Sequence, residues 1–349
     1  MGKKNHPYVT KTLIVLIIMG IILVFVAIAG ISIGPISIPF KETILIFLHK
    51  LNLVHYAGFT EQQWVVITDI RLPRVLVASL VGAALAVAGV SMQGLFRNPL
   101  VEPGYVGVSS GAALGAVCAI FFGWTSFHPW FLPISAFIGA LSATFIILAV
   151  WKVTKQKSIA VLLLLGIGIN SFFSAVMNVL VASSKDEQEL RSIVYWLQGG
   201  LEARTWEHVS LIVIPIILGV GVLFLFGNRL NIMLLGEEHA NTSGVNTRLT
   251  RNIILTIAAM ITGIAVSVSG MIGFIGLVVP HILRLIIGPD HRLLLPASML
   301  GGAIFLILAD LISRMILQPI TLQVGVVSAL IGAPLFIILI LRSFKGASL

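Results

Sequence analysis

Apolar residues run along this chain in blocks of about one bilayer thickness, ~20 residues at ~1.5 Å each, broken by Pro, Gly or charge. The blocks predict ten spans, at about 12–33, 72–94, 105–122, 133–151, 158–182, 207–227, 250–269, 273–287, 293–313 and 325–341, the eighth of them short. The expected fold is an all-α membrane protein in which residues 1–349 make one transmembrane domain. An even number of spans puts both termini on one side. The stretch Arg71-Leu72-Pro73-Arg74 heads a Gly/Ala-rich span that ends in Arg97-Asn98-Pro99 and Glu102-Pro103, where proline turns the chain away from helix.

Charge fixes the orientation. The inner segments, counted with the N-terminus inside, hold most of the 22 Lys and Arg, among them Lys3, Lys4, Lys11, Lys152, Lys155 and Lys157. The positive-inside bias therefore predicts cytoplasmic termini. Lys3, Lys4 and Lys11 stand ahead of the first apolar run as in a signal peptide, but the run is long and lacks a small-residue cleavage site, so a retained span is expected. The cost of this topology is that Arg71, Arg74 and Arg314 face out against span ends. Two outer segments are long, 34–70 and 183–206, the second with an amphipathic Ile193-Val194-Tyr195-Trp196-Leu197 suited to the interface. The main inner segment is 228–249. Arg71-Leu72-Pro73-Arg74 is echoed by Arg248-Leu249-Thr250-Arg251 ahead of an oppositely directed span, which predicts inverted internal repeats.

Composition narrows the function classes. The chain is 58% hydrophobic and 10% charged, with mean hydropathy +1.08, which excludes an ordinary soluble domain. Its net charge of +9 is explained by the membrane surface without a nucleic-acid partner. A single cysteine, Cys118, allows no internal disulfide and no thiolate metal site. There is no phosphate-binding Gly-x-x-x-x-Gly-Lys loop, no His-Glu-x-x-His, and no acid is expected near the middle of a span, so the chain offers neither catalysis nor ion coupling of its own.

Three groups of residues carry chemistry. Arg71, Arg74 and Arg314 form an expected outer basic ring able to receive carboxylates of a soluble partner, although Asp310 and Arg314, one turn apart, also read as a plain surface pair. Glu237, Glu238, Ala240 and Gly244 build an expected short inner helix with acids at its start and a glycine stop, which is either a solvated loop or the piece a cytosolic partner grips. In the fifth span Asn170, Ser174 and Asn178 stand four residues apart with Met177 beside them. They either bond to a neighbouring helix or line a pathway, and Met92, Gln93 and Ser328 are weaker candidates of that kind.

The sequence resembles the permease subunits of ABC importers for iron chelates and cobalamin, the FecCD family. The motifs are Arg-Leu-Pro-Arg with Val-Gly-Ala-Ala-Leu-Ala (71–86), Gln-Gly-Leu-Phe-Arg-Asn-Pro-Leu-Val-Glu-Pro-Gly with Gly-Val-Ser-Ser-Gly-Ala (93–112), Gly-Phe-Ile-Gly-Leu-Val-Val-Pro-His-Ile-Leu-Arg (273–284), Leu-Ala-Asp-Leu-Ile-Ser-Arg (308–314) and Val-Gly-Val-Val-Ser-Ala-Leu-Ile-Gly-Ala-Pro (324–334). The resemblance implies a ten-span subunit that pairs with a second permease, copy or paralogue. Two ATP-binding subunits lie below, a substrate-binding protein lies above, and any ATP and Mg sit on the partners rather than on this chain. It implies that Arg71, Arg74 and Arg314 receive the binding protein, that Glu237 to Gly244 is the coupling helix, and that the fifth and tenth spans line the pathway. His239 stands where alanine is common, and Pro319-Ile-Thr-Leu-Gln-Val324 departs from the family's Pro-x-Glu-Leu-Pro-Val at the outer mouth. The expected function is inward transport of a metal chelate, ferric siderophore foremost with haem or cobalamin as competitors, in a cell membrane. The rivals are an ion-coupled secondary transporter and an intramembrane enzyme.

Overall fold

A backbone surrounded by apolar side chains has no polar partner but itself, and among the described residues the chain forms helices and no strands. The computed structural model describes residues 7–55, 58–154, 159–318 and 320–346, so Lys3, Lys4, Lys155, Lys157 and Pro319 lie outside the described residues.

α1 (Pro7–Ser32) is followed by α2 (Phe40–Lys50) and by α3 (Glu61–Val65), which passes through a wide π-helical turn (Val66–Arg71) into α4 (Leu72–Phe96). A 3-10 turn (Pro103–Val106) leads to α5 (Val108–Phe121), and then come α6 (Phe131–Val153), α7 (Ile159–Ala182), α8 (Glu187–Gln198) and α9 (Trp206–Leu225). The remainder is α10 (Gly227–Leu234), α11 (Glu237–Thr242), α12 (Thr247–Ser269), α13 (Ile275–Ile287), α14 (His291–Met315) and α15 (Val324–Gly346). Side-chain caps set several starts. Asp186 accepts the amide of Glu189, Asn246 that of Leu249 and Asp290 that of Arg292.

Seven helical stretches among the described residues are long and apolar enough to cross a membrane by length and composition, and three apolar helices are shorter, Val108–Phe121, Ile275–Ile287 and Val324–Leu339. The expected third span starts late. The end of the 3-10 turn Pro103–Val106 and the left-handed Gly107 (φ 77°) occupy the residues that would have begun it. The two long segments expected on the outer side, 34–70 and 183–206, hold α2 and α3 in one and α8 in the other, and Ile193 and Trp196 of α8 are buried.

α4 is the centre of the molecule, buried on almost every face. Lipid supplies no hydrophobic push between helices, so close approach through small residues must do so. A Cβ at Gly82 would overlap the carbonyl of Gly302 on α14, and one at Gly89 would overlap the carbonyl of Gly276 on α13. Two chain breaks meet beside α4. One runs from Arg97 (φ 51°) to Gly107, the other from Gly270 (φ 66°) to Phe274 (φ 69°).

Candidate functional site

At one end of α4 and α14 the three sequence-predicted arginines do come together, but as a buried knot. Asp310, fully buried, accepts a hydrogen bond from Arg74 at 2.8 Å and forms an ion pair with Arg314 at 3.2 Å, whose Nε donates to the Asp310 backbone carbonyl at 3.3 Å. Arg71 donates to the carbonyls of Ile31 (3.0 Å), Ser32 (2.6 Å) and Ile36, while Arg314 donates to those of Gly30 (3.0 Å) and Ile33 (3.2 Å). The plain surface pair expected of Asp310 and Arg314 is therefore corrected, because the end of α1 and the chain after it cover both. The ring is not open either. Arg71 and Arg314 spend their protons on their own chain, and the Arg74 side chain keeps 12% of its surface. Three guanidinium groups against one carboxylate leave excess positive charge beneath this surface. Arg204, in the loop before α9, adds to it; burial first and the nearby Arg74 second push its pKa down to about 10, against the opposing effect of Glu202, so it stays charged at neutral pH.

A cavity of about 380 Å³ opens between α7, the segment before α5, and the break after α12, lined among others by Glu102, Tyr105, Ser110, Asn170, Ser174 and Met177. Asn170 accepts from the Ser110 hydroxyl at 2.5 Å and donates to the carbonyl of Gly104 at 3.3 Å. Asn178 is exposed on α7 and is not part of the cavity wall. Glu102, which sequence reasoning passed over, accepts the backbone N–H of Phe274 and so ties one chain break to the other. The signal was present in the Glu-Pro pair, since a carboxylate beside a turn proline inside an apolar region needs a partner.

Met92, Gln93 and Ser328, the weaker candidates, make internal contacts. Met92 is 2% exposed in the packed face of α4. The Gln93 amide donates to the carbonyls of Gly276 (3.1 Å) and Leu277 (3.3 Å), and its oxygen accepts from Arg284 at 2.9 Å. Ser328 donates to the carbonyls of Gly325 (2.8 Å) and Gly273 (3.3 Å). Pro280 offers no N–H to the Gly276 carbonyl, which Gln93 satisfies, and Ser328 reaches the Gly273 carbonyl in the chain break.

At the opposite end, Glu237 and Glu238 open α11, Ala240 is its one buried residue, and Gly244 (φ 80°) turns the chain towards α12. Glu237 forms an ion pair with Arg251 of α12, and Glu238 is exposed. α10 is fastened too: the Asn231 amide donates to Asp290 at 2.6 Å, and its oxygen accepts the backbone N–H of His291 at 2.8 Å. The Asp290 carboxyl is held down to about 2, chiefly by its hydrogen bonds from Arg292 and Asn231 against the cost of partial burial. Asn231 and Asp290 were not singled out in the sequence. Only the cap position of Asp290, after Gly288-Pro289, marked it.

Comparison with known proteins gives a consistent picture. A family model described as the FecCD transport family matches residues 21–342. The hemin transport system permease protein HmuU of Yersinia pestis is 40% identical over 341 residues, covering 94% of this chain and 95% of its own. The cobalamin import system permease protein BtuC of Halobacterium salinarum is 37% identical over 353 residues, covering 92% of this chain and 94% of its own. A solved structure described as a metal-chelate type ABC transporter in an inward-facing conformation superposes with a TM-score of 0.83 at 33% identity, over 94% of this chain and 99% of that one.

Proposed function

The chain belongs to the FecCD transport family, and from that premise we propose that it forms the inward pathway for a metal chelate, a ferric siderophore, in a binding-protein-dependent importer. It is a multi-pass membrane permease and not an ATPase; hydrolysis belongs to separate subunits. In this reading ten helices cross the bilayer with both termini in the cytoplasm, α1, α4, α5, α6, α7, α9, α12, α13, α14 and α15. The halves beginning at α4 and α12 are inverted repeats: each has a long helix, a break with left-handed residues, and a short helix. A second permease, copy or paralogue, completes the pathway against the exposed face of α7.

The observation that carries the mechanism is α12. Near its start it holds Glu237 of α11 through Arg251, while Thr262 and the residues after its far end, Met271 to Gly273, line the polar cavity. A push on Glu237, Glu238, Ala240 and Gly244 by an ATPase subunit thus has a rigid path to the cavity wall, and the different contacts of ATP with the two states supply the work. In this reading Asn170, Ser174 and Met177 meet the cargo from the cavity wall and Asn178 from the exposed face of α7. At the outer end the field of Arg71, Arg74 and Arg314, with Arg204 nearer the surface, draws the acidic face of a loaded binding protein.

Haem or cobalamin is the second reading, favoured by the two relatives named for those cargoes. The test is an affinity scan of the cognate binding protein against ferric siderophores, haem and cobalamin. A ferric siderophore is expected to bind about 100-fold tighter than either, ~2.8 kcal/mol. The reverse order assigns the pathway to the second reading.

A further inference from the structure

Beside the coupling helix a groove of about 470 Å³ separates the end of α6 from the start of α12. Lys152 and Arg248 stand on its two walls, both exposed, and Trp151 and Arg251 form its floor. Arg251 is 7% exposed and lies with its guanidinium carbon 5.6 Å from the Trp151 ring; one of its nitrogens pairs with Glu237, but its Nε has no hydrogen-bond partner. A buried guanidinium nitrogen without an acceptor is costly, and the residue that carries it lines the groove. Three cations against Glu237 leave the groove a net charge of about +2 on formal counting.

What surrounds the groove identifies its occupant. Arg248, Asn252 and Thr256 recur every four residues on α12, all exposed, and Met260 continues the stripe one turn further. On α6, Phe145 (73% exposed) shares the face of Leu148 and Lys152 at i, i+3 and i+7. The surface thus passes from basic, through hydroxyl and amide, to apolar, along two helices apolar enough to cross a membrane. A free phosphate would use only the first part, and an acidic protein surface would leave Phe145 and Met260 unmatched.

We infer that this groove is a binding site for an anionic phospholipid, whose phosphodiester meets Lys152, Arg248 and Arg251 while its chains lie along Phe145 and Met260. The site rests on the reading that α6 and α12 cross the bilayer. Because Arg251 also holds Glu237, the bound lipid sits one residue from the coupling helix and loads the same guanidinium from its other side.

The test uses the full-length permease, alone and assembled with its ATPase subunits, in mixed micelles with phosphatidylglycerol or phosphatidylcholine, or in phosphatidylcholine with added inorganic phosphate. Retained lipid is counted by native mass spectrometry, a readout that does not depend on transport, so failure of the transport reading leaves it interpretable. Phosphatidylglycerol is expected to be retained about tenfold over phosphatidylcholine in both preparations. The preference should vanish in Lys152→Gln/Arg248→Gln, whose unfolding midpoint in phosphatidylcholine matches the parent, and persist in Lys152→Arg/Arg248→Lys. Equal retention by the Gln variant, a phosphate-only rise in the midpoint equal to that given by phosphatidylglycerol, or loss of lipid on assembly with the ATPase would each overturn the proposal.

Discussion

Asp310 is the anion that makes the arginine knot possible. With Arg74 and Arg314 both bonded to it and water excluded, removing its carboxylate leaves two buried cations facing each other. Asp310→Ala is expected to cost about 3–5 kcal/mol, read as a lower unfolding midpoint of the purified permease. An unchanged midpoint would mean that the knot carries no net stability. Arg204 tests the outer field without touching that ion pair. Arg204→Ala should slow association of the binding protein at low salt and flatten its salt dependence, and an unaltered rate would remove Arg204 from the docking surface. The motifs around Arg71, Arg74 and Arg314 were legible in the sequence as a cluster. That they face inward was not, since burial here is imposed by α1, whose residues carry no polar mark to show that their carbonyls at Gly30, Ile31 and Ser32 would accept.

The long helices were legible because each needs only apolar length, and the Gly/Ala-rich composition of α4 suited it to close helix packing. The breaks were harder. The left-handed residue that starts α13 is Phe274, a conformation no sequence rule expects of a phenylalanine. The same holds for the side chains that repair the breaks. Which carbonyls Gln93 and Ser328 would satisfy is visible only once the breaks are in place. At the start of α14, Asp290 caps the helix and holds α10 through Asn231. Asp290→Ala is expected to remove a cap worth about 1 kcal/mol and loosen α10, read by amide exchange across 227–234. The pH sign follows from a carboxyl pKa lowered to about 2: the contribution is complete above the unfolded value of 3.8 and fades as pH falls through 2. Exchange across α10 should therefore be insensitive to this group between pH 7 and pH 5, and a rise in that window would refute the assignment.

Taken whole, the molecule is a packed bundle with its charge at the two ends and a modest polar cavity between. Nothing in the described residues groups three or more metal-binding side chains, and the buried acids Glu102 and Asp310 are each already held by groups of the same chain. α12 is continuous from the ion pair at Arg251 to the cavity wall at Thr262, which is the path the proposed coupling would use. The decisive measurement is uptake of labelled cargo into proteoliposomes that hold the permease and its binding protein, with and without the ATPase subunits. Uptake should require those subunits and ATP and ignore an imposed proton or sodium gradient. Gradient-driven accumulation by the permease without any ATPase would contradict the account.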